Sequence, residues 1–269
     1  YPESKTLLYL NSLALQAHQK IYKNKKESRN RIVDFWRDEF PLFFYQHHKT
    51  LFYSFLIFAV ATAIGVVSTL YDDSFVRLIL GDSYVNETLN NIAKGDPTAI
   101  YKSGSETGLF LGITINNIRV AFIAYALGVF TSVGTAYVLF NNGVMLGAFF
   151  TMFYNQGLLF EASKNIWLHG TIEISVIIVA GAAGLIMGNS ILFPKTYSRK
   201  VSFVRGAKDG LKVVVSTIPF FIIAGFIEGF ITRYSQMPTI LALTIIFASL
   251  ALVLYYYIVY TIIIHKKHG

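Results

Sequence analysis

Six runs of about 20 apolar residues, each long enough to cross roughly 30 Å of hydrocarbon at 1.5 Å per helical residue, dominate this 269-residue chain. They fall at about 51–70, 118–140, 143–160, 170–193, 210–231 and 240–264. Inside lipid no water is available to the backbone, so each run must satisfy its own N–H and C=O groups and is read as an α-helix. The fold class that follows is all-α: a polytopic transmembrane helical bundle of about six spans over residues 51–264. Composition agrees, with 54% hydrophobic and only 14% charged residues. The third run is short and holds Asn155 and Gln156, so it is either a full crossing or a re-entrant segment.

Orientation is read from Lys and Arg, which resist translocation. Segment 1–50 is rich in them, loop 194–209 carries Lys195, Arg199, Lys200, Arg205 and Lys208, and the 265–269 tail holds Lys266 and Lys267, whereas loop 71–117 is acidic. All the basic segments share one side only with an even number of crossings, which supports six spans and predicts that both ends lie in the cytoplasm (N-in/C-in). The net charge of +8 then reads as a topology signal and as attraction to membrane lipids with anionic headgroups. It implies no nucleic-acid partner.

Residues 1–50 are expected to form cytoplasmic and interfacial helices. Leu7, Leu10, Ala14, Ala17 and Ile21 recur at helical spacing behind Ser4 as an N-cap. Phe35, Trp36 and Phe40 beside Arg37 and Pro41 suit either an elbow in the headgroup layer or a helix packed on the bundle. The chain begins at Tyr1 without an initiator methionine, so further N-terminal residues are expected. Loop 71–117 is the one sizeable extracytoplasmic piece. Turn residues such as Gly81-Asp82 and Gly95-Asp96-Pro97 punctuate short helical patches, which makes it either a packing cap or a surface for an envelope partner.

Charged groups in hydrocarbon cost a few kcal/mol each, so those that occur need a partner or a purpose. Arg119, Glu173 and Glu228 fall at similar depth in three different spans. Together with Asn116, Asn117, His169 and Arg233 they form a candidate intramembrane polar cluster, either structural or facing a ligand. A bridge from Arg119 to Glu173 or Glu228 would neutralise two charges at once. His169 and Glu173 stand four apart, a spacing that can bind a metal ion, but neither an HExxH pattern nor a second clustered His is present to complete a site, and no metal site is expected. His169 beside Trp167 also suits an interfacial anchor. The pairs Gly143 and Gly147, Gly184 and Gly188, and Gly225 and Gly229 repeat at four-residue spacing. They let helix backbones approach closely, within one bundle or across a homodimer.

The chain has no cysteine, which rules out disulfides and thiolate chemistry. It shows neither a GxSxG elbow, nor a HExxH helix, nor a Walker A loop, so an enzyme or an ATP-driven pump is not expected and no cofactor is called for. No internal repeat of the transporter type is visible.

The segments Asn116-Asn117-Ile118-Arg119-Val120-Ala121-Phe122, Asn142-Gly143, His169-Gly170-Thr171-Ile172-Glu173, Ala180-Gly181-Ala182-Ala183-Gly184, Pro194 with Ser198-Arg199, and Ile227-Glu228-Gly229-Phe230-Ile231-Thr232-Arg233 resemble the stage II sporulation protein M family. The resemblance runs from about Phe40 to Arg233 and implies a multi-pass protein of the bacterial inner membrane. In spore formers it implies a platform for a peptidoglycan-hydrolase complex. The long segment 1–50 is similar to the branch found in non-sporulating bacteria, commonly encoded beside a MoxR-type ATPase and von Willebrand factor A-type proteins. The expected function is therefore a non-enzymatic scaffold that recruits membrane or envelope proteins. The alternative is a transporter or channel for a small ion or lipid-like solute, in which Glu173 and Glu228 line a cavity. A dry, paired Arg–Glu cluster would favour the first, and a water-accessible cavity reaching both carboxylates the second.

Overall fold

The computed structural model describes residues 6, 9–14, 31–94, 106–232 and 237–268, and the chain divides into two units, residues 1–39 and 40–269. In the first unit residues 9–14 are helical, and a helical turn over Arg31–Asp34 is followed by a π-helical turn over Phe35–Glu39. Arg37 donates to Asp34 at 3.2 Å and to Asp38 at 2.7 Å, exposed pairs that contribute little. Ser4, Leu7, Ala17 and Ile21 of the expected N-terminal helix lie outside the described residues.

The second unit begins ten residues before the expected boundary at 50. Phe40 and Phe44, in a short helix over Phe40–Tyr45 (α1), are fully buried. They stack on each other, and both meet Tyr257 edge-on. Aromatic burial makes this helix part of the bundle.

Six helices of this unit are long and apolar enough to cross a membrane. They are α2 (His48–Tyr71), α5 (Glu106–Ala126, closed by a 3-10 turn over Leu127–Val129), α6 (Val133–Asn155), α7 (Leu159–Leu192), α8 (Arg199–Phe226, continued by a π-helical turn over Ile227–Ile231), and α9 (Thr239–Leu254). The last runs on through π-helical Tyr255–Tyr260 into α10 (Thr261–His268). No strand occurs among the described residues.

Four helices differ from the hydropathy reading: the fourth and fifth begin at Leu159 and Arg199, where 170 and 210 were expected, so most of the expected basic loop 194–209 is helical, and the second and third are displaced. The second crossing helix spans 106–129 where 118–140 was expected, and the third spans 133–155 where 143–160 was expected. Between them Thr131 and Ser132 adopt positive φ of 51° and 70°, a tight turn inside a stretch, Leu127 to Gly134, that is apolar or small throughout. A hydropathy window has no charged residue there to register. The turn instead docks on glycines of α7: a methyl added at Gly188 would collide with Ser132, and one at Gly184 with Thr135 and the Ala124 carbonyl. The third helix, at 23 residues, has the length of a complete crossing.

α7 is the central helix, with 21 buried residues between Ala162 and Gly188. α5 and α8 flank it on one side. α2 and α6 pair closely on another, because Gly143 faces Ala61 and the Phe58 carbonyl while Gly147 faces Thr62. Gly225 and Gly229 of α8 and its π turn face Thr114 and Phe110 of α5. All six glycines of the three pairs thus make their close approaches inside one bundle.

Part of the expected loop 71–117 belongs to α5, and part forms a helical cap. α3 (Asp73–Leu80) and α4 (Asp82–Ala93) join at Gly81, whose φ of +86° suits a residue without Cβ. Asp72 caps α3 by accepting from the Ser74 hydroxyl and backbone N–H, and these bonds hold its carboxyl below the usual range. Arg77 ties the two helices by donating to Asp82 at 3.0 Å and Asn86 at 2.8 Å. Val76 and Val85 then pack with Ala148, Met152 and Phe153 of α6 and Ala162 and Ile166 of α7, which seats the cap over the ends of the third and fourth crossing helices.

Candidate functional site

His169 and Glu173 stand one turn apart on α7, and that spacing alone turns both to the same face. Glu228 reaches them from a different helix. It sits in the π-helical turn Ile227–Ile231, where an extra residue per turn re-aims a side chain that α-helical continuation of α8 would have placed elsewhere. One potential ligand atom from each of His169, Glu173 and Glu228 lies within 4.8 Å of the others. His169 and Glu228 are buried, at 4% and 8% exposure, and Glu173 is half-buried.

Asn117 of α5 donates from Nδ2 to Glu173 Oε1 at 2.7 Å. On the other side of the cluster His169 Nδ1 lies 3.3 Å from the Thr232 hydroxyl, which itself donates to the Ile227 carbonyl at 3.3 Å. Nε2 faces Glu228 Oε2 at 3.7 Å, too long for a hydrogen bond.

Arg119 is not the partner of these carboxylates. It is exposed, and among the described residues it pairs with neither Glu173 nor Glu228. The reason is helical geometry: with α5 starting at Glu106, Asn117 and Arg119 are about 200° apart around the axis. When Asn117 faces Glu173, Arg119 points away. Asn116 is exposed and lines the mouth of the cavity described next, and Arg233 lies outside the described residues. Trp167, expected beside His169 as an anchor, stacks on Phe150 with ring centroids 5.4 Å apart, while His169 turns inward. The basic stretch Lys195 to Arg205 is placed partly before and partly within the first turns of α8, where Arg205 lies over the Tyr197 ring at 4.1 Å.

A partly open cavity of about 620 Å³ reaches the cluster, within the usual size range of small-molecule sites. α5 and α6 wall it on two sides, α7 forms its floor, and Ile79, Leu80 and Tyr84 of the cap overhang it. Most of the lining is apolar. The polar groups are Tyr84, Asn116, Asn117, Asn142, His169, Glu173 and Glu228, and among the described residues no lysine or arginine pairs with either carboxylate. Asn142, Gly170 and Thr232 were not read as site residues from sequence. Thr232 stands four after Glu228, but only a close approach between α7 and the end of α8 gives that spacing meaning.

Fold and site together define a polytopic α-helical membrane protein with a polar, cavity-exposed cluster inside its bundle. The chain belongs to the family described as stage II sporulation protein M, whose model matches residues 54–233. It is also 27% identical over 127 residues to an uncharacterized protein of Methanocaldococcus jannaschii, a match covering 46% of this chain and 56% of that one. The chain thus spans little more than half the length of that relative. No solved structure matches.

Proposed function

We propose that this protein binds and passes a small polar or cationic solute through the cavity between α5, α6 and α7. The observation carrying this reading is that the cavity reaches His169, Glu173 and Glu228, where no basic side chain among the described residues neutralises the carboxylates. Carboxylates at membrane depth are costly, and those that face an internal cavity mark ion or solute paths. The reading needs no catalytic step. With the ends and the basic segments in the cytoplasm of a prokaryotic cell, the cap and the mouth of the cavity face outward.

Gly170 supplies the test. It lines the cavity between His169 and Glu173, and a Cβ there would make only ordinary contacts, at 3.7 Å to Ile166 and 3.9 Å to Ile174. Because the chain has no cysteine of its own, Gly170→Cys creates a unique reporter. It should react with a membrane-impermeant thiol reagent in intact vesicles, whereas a Cys replacing the packed Gly143 should not. An unreactive Gly170→Cys would exclude a wet cavity.

Family membership favours a second reading, a scaffold for envelope proteins linked to peptidoglycan remodelling. Tyr71 and Leu78, 88% and 79% exposed at the cap, offer apolar anchors for a partner. Purification from native membranes separates the two: stoichiometric co-purification of another envelope protein, lost on Leu78→Asp but kept on Glu228→Gln, would support scaffolding.

A further inference from the structure

We infer that the solute is a lipid-like amphiphile with a cationic head, which enters the cavity sideways from the bilayer through a groove between α2, α3 and α6; the inference rests on the cavity reading above and names the class of its solute. A second hollow of about 400 Å³ lies beside the first, lined by Ile64 of α2, Phe75 and Leu78 of α3, and Phe140 and Asn141 of α6. Ile79 and Met145 line both hollows, so the two meet at these side chains. Ile64, Phe140 and Met145 are 41%, 41% and 45% exposed, on helices long and apolar enough to cross a membrane, where the surrounding medium is hydrocarbon. The groove therefore opens to lipid, while the cavity behind it reaches Glu173 and Glu228.

Two amides distinguish this groove from an ordinary furrow between lipid-facing helices. With α6 running from Val133 to Asn155, Asn141 lies about 12 Å along a helix about 33 Å long at 1.5 Å per residue, near the middle of the crossing. Its side chain is exposed and makes no hydrogen bond among the described residues. An amide left unsatisfied in hydrocarbon is costly, and a polar head passing along the groove satisfies it. Asn142, the next residue, donates to the Val138 carbonyl at 2.8 Å and lines the inner cavity. Adjacent amides thus stand on the two sides of the junction, one in the groove and one in the cavity, and give a head group successive polar contacts between lipid and the carboxylates. Charge selects the head: no lysine or arginine among the described residues pairs with Glu173 or Glu228, so an ammonium group is attracted and an anionic head repelled. The walls select the tail, because Ile64, Phe75, Leu78 and Phe140 offer a hydrocarbon chain the same surroundings as the bilayer does. Met145, unbranched and flexible, stands where the head must pass and can change rotamer to admit it.

The test uses the full chain in phospholipid vesicles with the Gly170→Cys reporter, its labelling rate taken relative to that of exposed Ser83→Cys so that changes in surface charge cancel. Dodecylammonium, which its tail concentrates in the bilayer, should slow labelling about tenfold or more. Ethylammonium, the same head without the tail, and dodecanoate, a tail of the same length on an anionic head, should not do so at equal concentration. Ile64 lines the groove but not the cavity. Ile64→Trp, which fills the groove from an exposed position, should therefore leave the bare labelling rate unchanged and abolish the protection. Asn141→Leu should weaken the protection about three- to tenfold, as the loss of one hydrogen bond would. Equal protection by ethylammonium or dodecanoate, protection by dodecylammonium that survives Ile64→Trp, or no protection by either cation would each overturn this inference and leave the solute reading standing. An unreactive Gly170→Cys removes both.

Discussion

Replacing Asn117 by alanine removes the bond from Nδ2 to Glu173 Oε1, 2.7 Å long and bridging α5 and α7. Two magnitudes bear on the cost. Hydrogen bonds to charged groups contribute about 1.5–3 kcal/mol in water-soluble folds, whereas interhelical bonds in membranes average roughly 0.6 and reach about 1.7 kcal/mol, because the unfolded helices find other partners. Glu173 is half-buried and faces a cavity, which places the expected coupling between the two scales, at about 1–2 kcal/mol. A double-mutant cycle of Asn117→Ala with Glu173→Ala, each of which removes one partner of the bond, read by unfolding in mixed micelles, should return a coupling of that size. Arg119→Gln with Glu173→Gln provides the contrast. Those side chains leave α5 and α7 without meeting, so their effects should add to within about 0.5 kcal/mol. Additive effects for Asn117 together with coupling for Arg119 would mean that α5 is rotated relative to the arrangement described, and the site would have to be rebuilt around the arginine.

Packing, pH and topology give three further tests. Gly143→Leu should destabilise by about 1–3 kcal/mol, since a Cβ there would lie 2.7 Å from both Ala61 Cβ and the Phe58 carbonyl; Gly170→Ala, with open surroundings, should be neutral or stabilising by up to about 1 kcal/mol, and equal thermal shifts for the two would refute the close contact of α2 and α6. The lowered carboxyl of Asp72 contributes to the cap above its unfolded value near pH 4 and ceases to as pH falls through the folded value. Amide exchange in α3 should therefore accelerate below about pH 4 in the wild type and lose that dependence in Asp72→Asn, which keeps a capping oxygen; identical pH profiles would refute the cap. Single cysteines replacing exposed Ser83 and Thr196 should label from opposite sides of the membrane, with Thr196 cytoplasmic, and labelling from one side would overturn the six-crossing arrangement.

The number of crossing helices and the all-α class follow from sequence because they depend on local quantities. A run of apolar residues either spans hydrocarbon or does not, and a backbone in lipid has few other ways to satisfy itself. The same holds for the glycine pairs, whose spacing marks a close approach wherever the partner lies, and for His169 and Glu173, which one helix turn aligns. Three-dimensional packing decided everything that depends on which helix meets which. The turn at Thr131 and Ser132 is held by Gly184 and Gly188, more than fifty residues away, so no local signal ends α5 at Val129. Moving that boundary rotates the assignment of α5 and exchanges Arg119 for Asn117 as the neighbour of Glu173. The third member of the cluster, Glu228, enters only because a π turn at the end of α8 aims it at a histidine on α7. Charge and depth in the sequence name the polar residues of this bundle, but their partners are set by helix rotation and register, which long-range packing alone fixes.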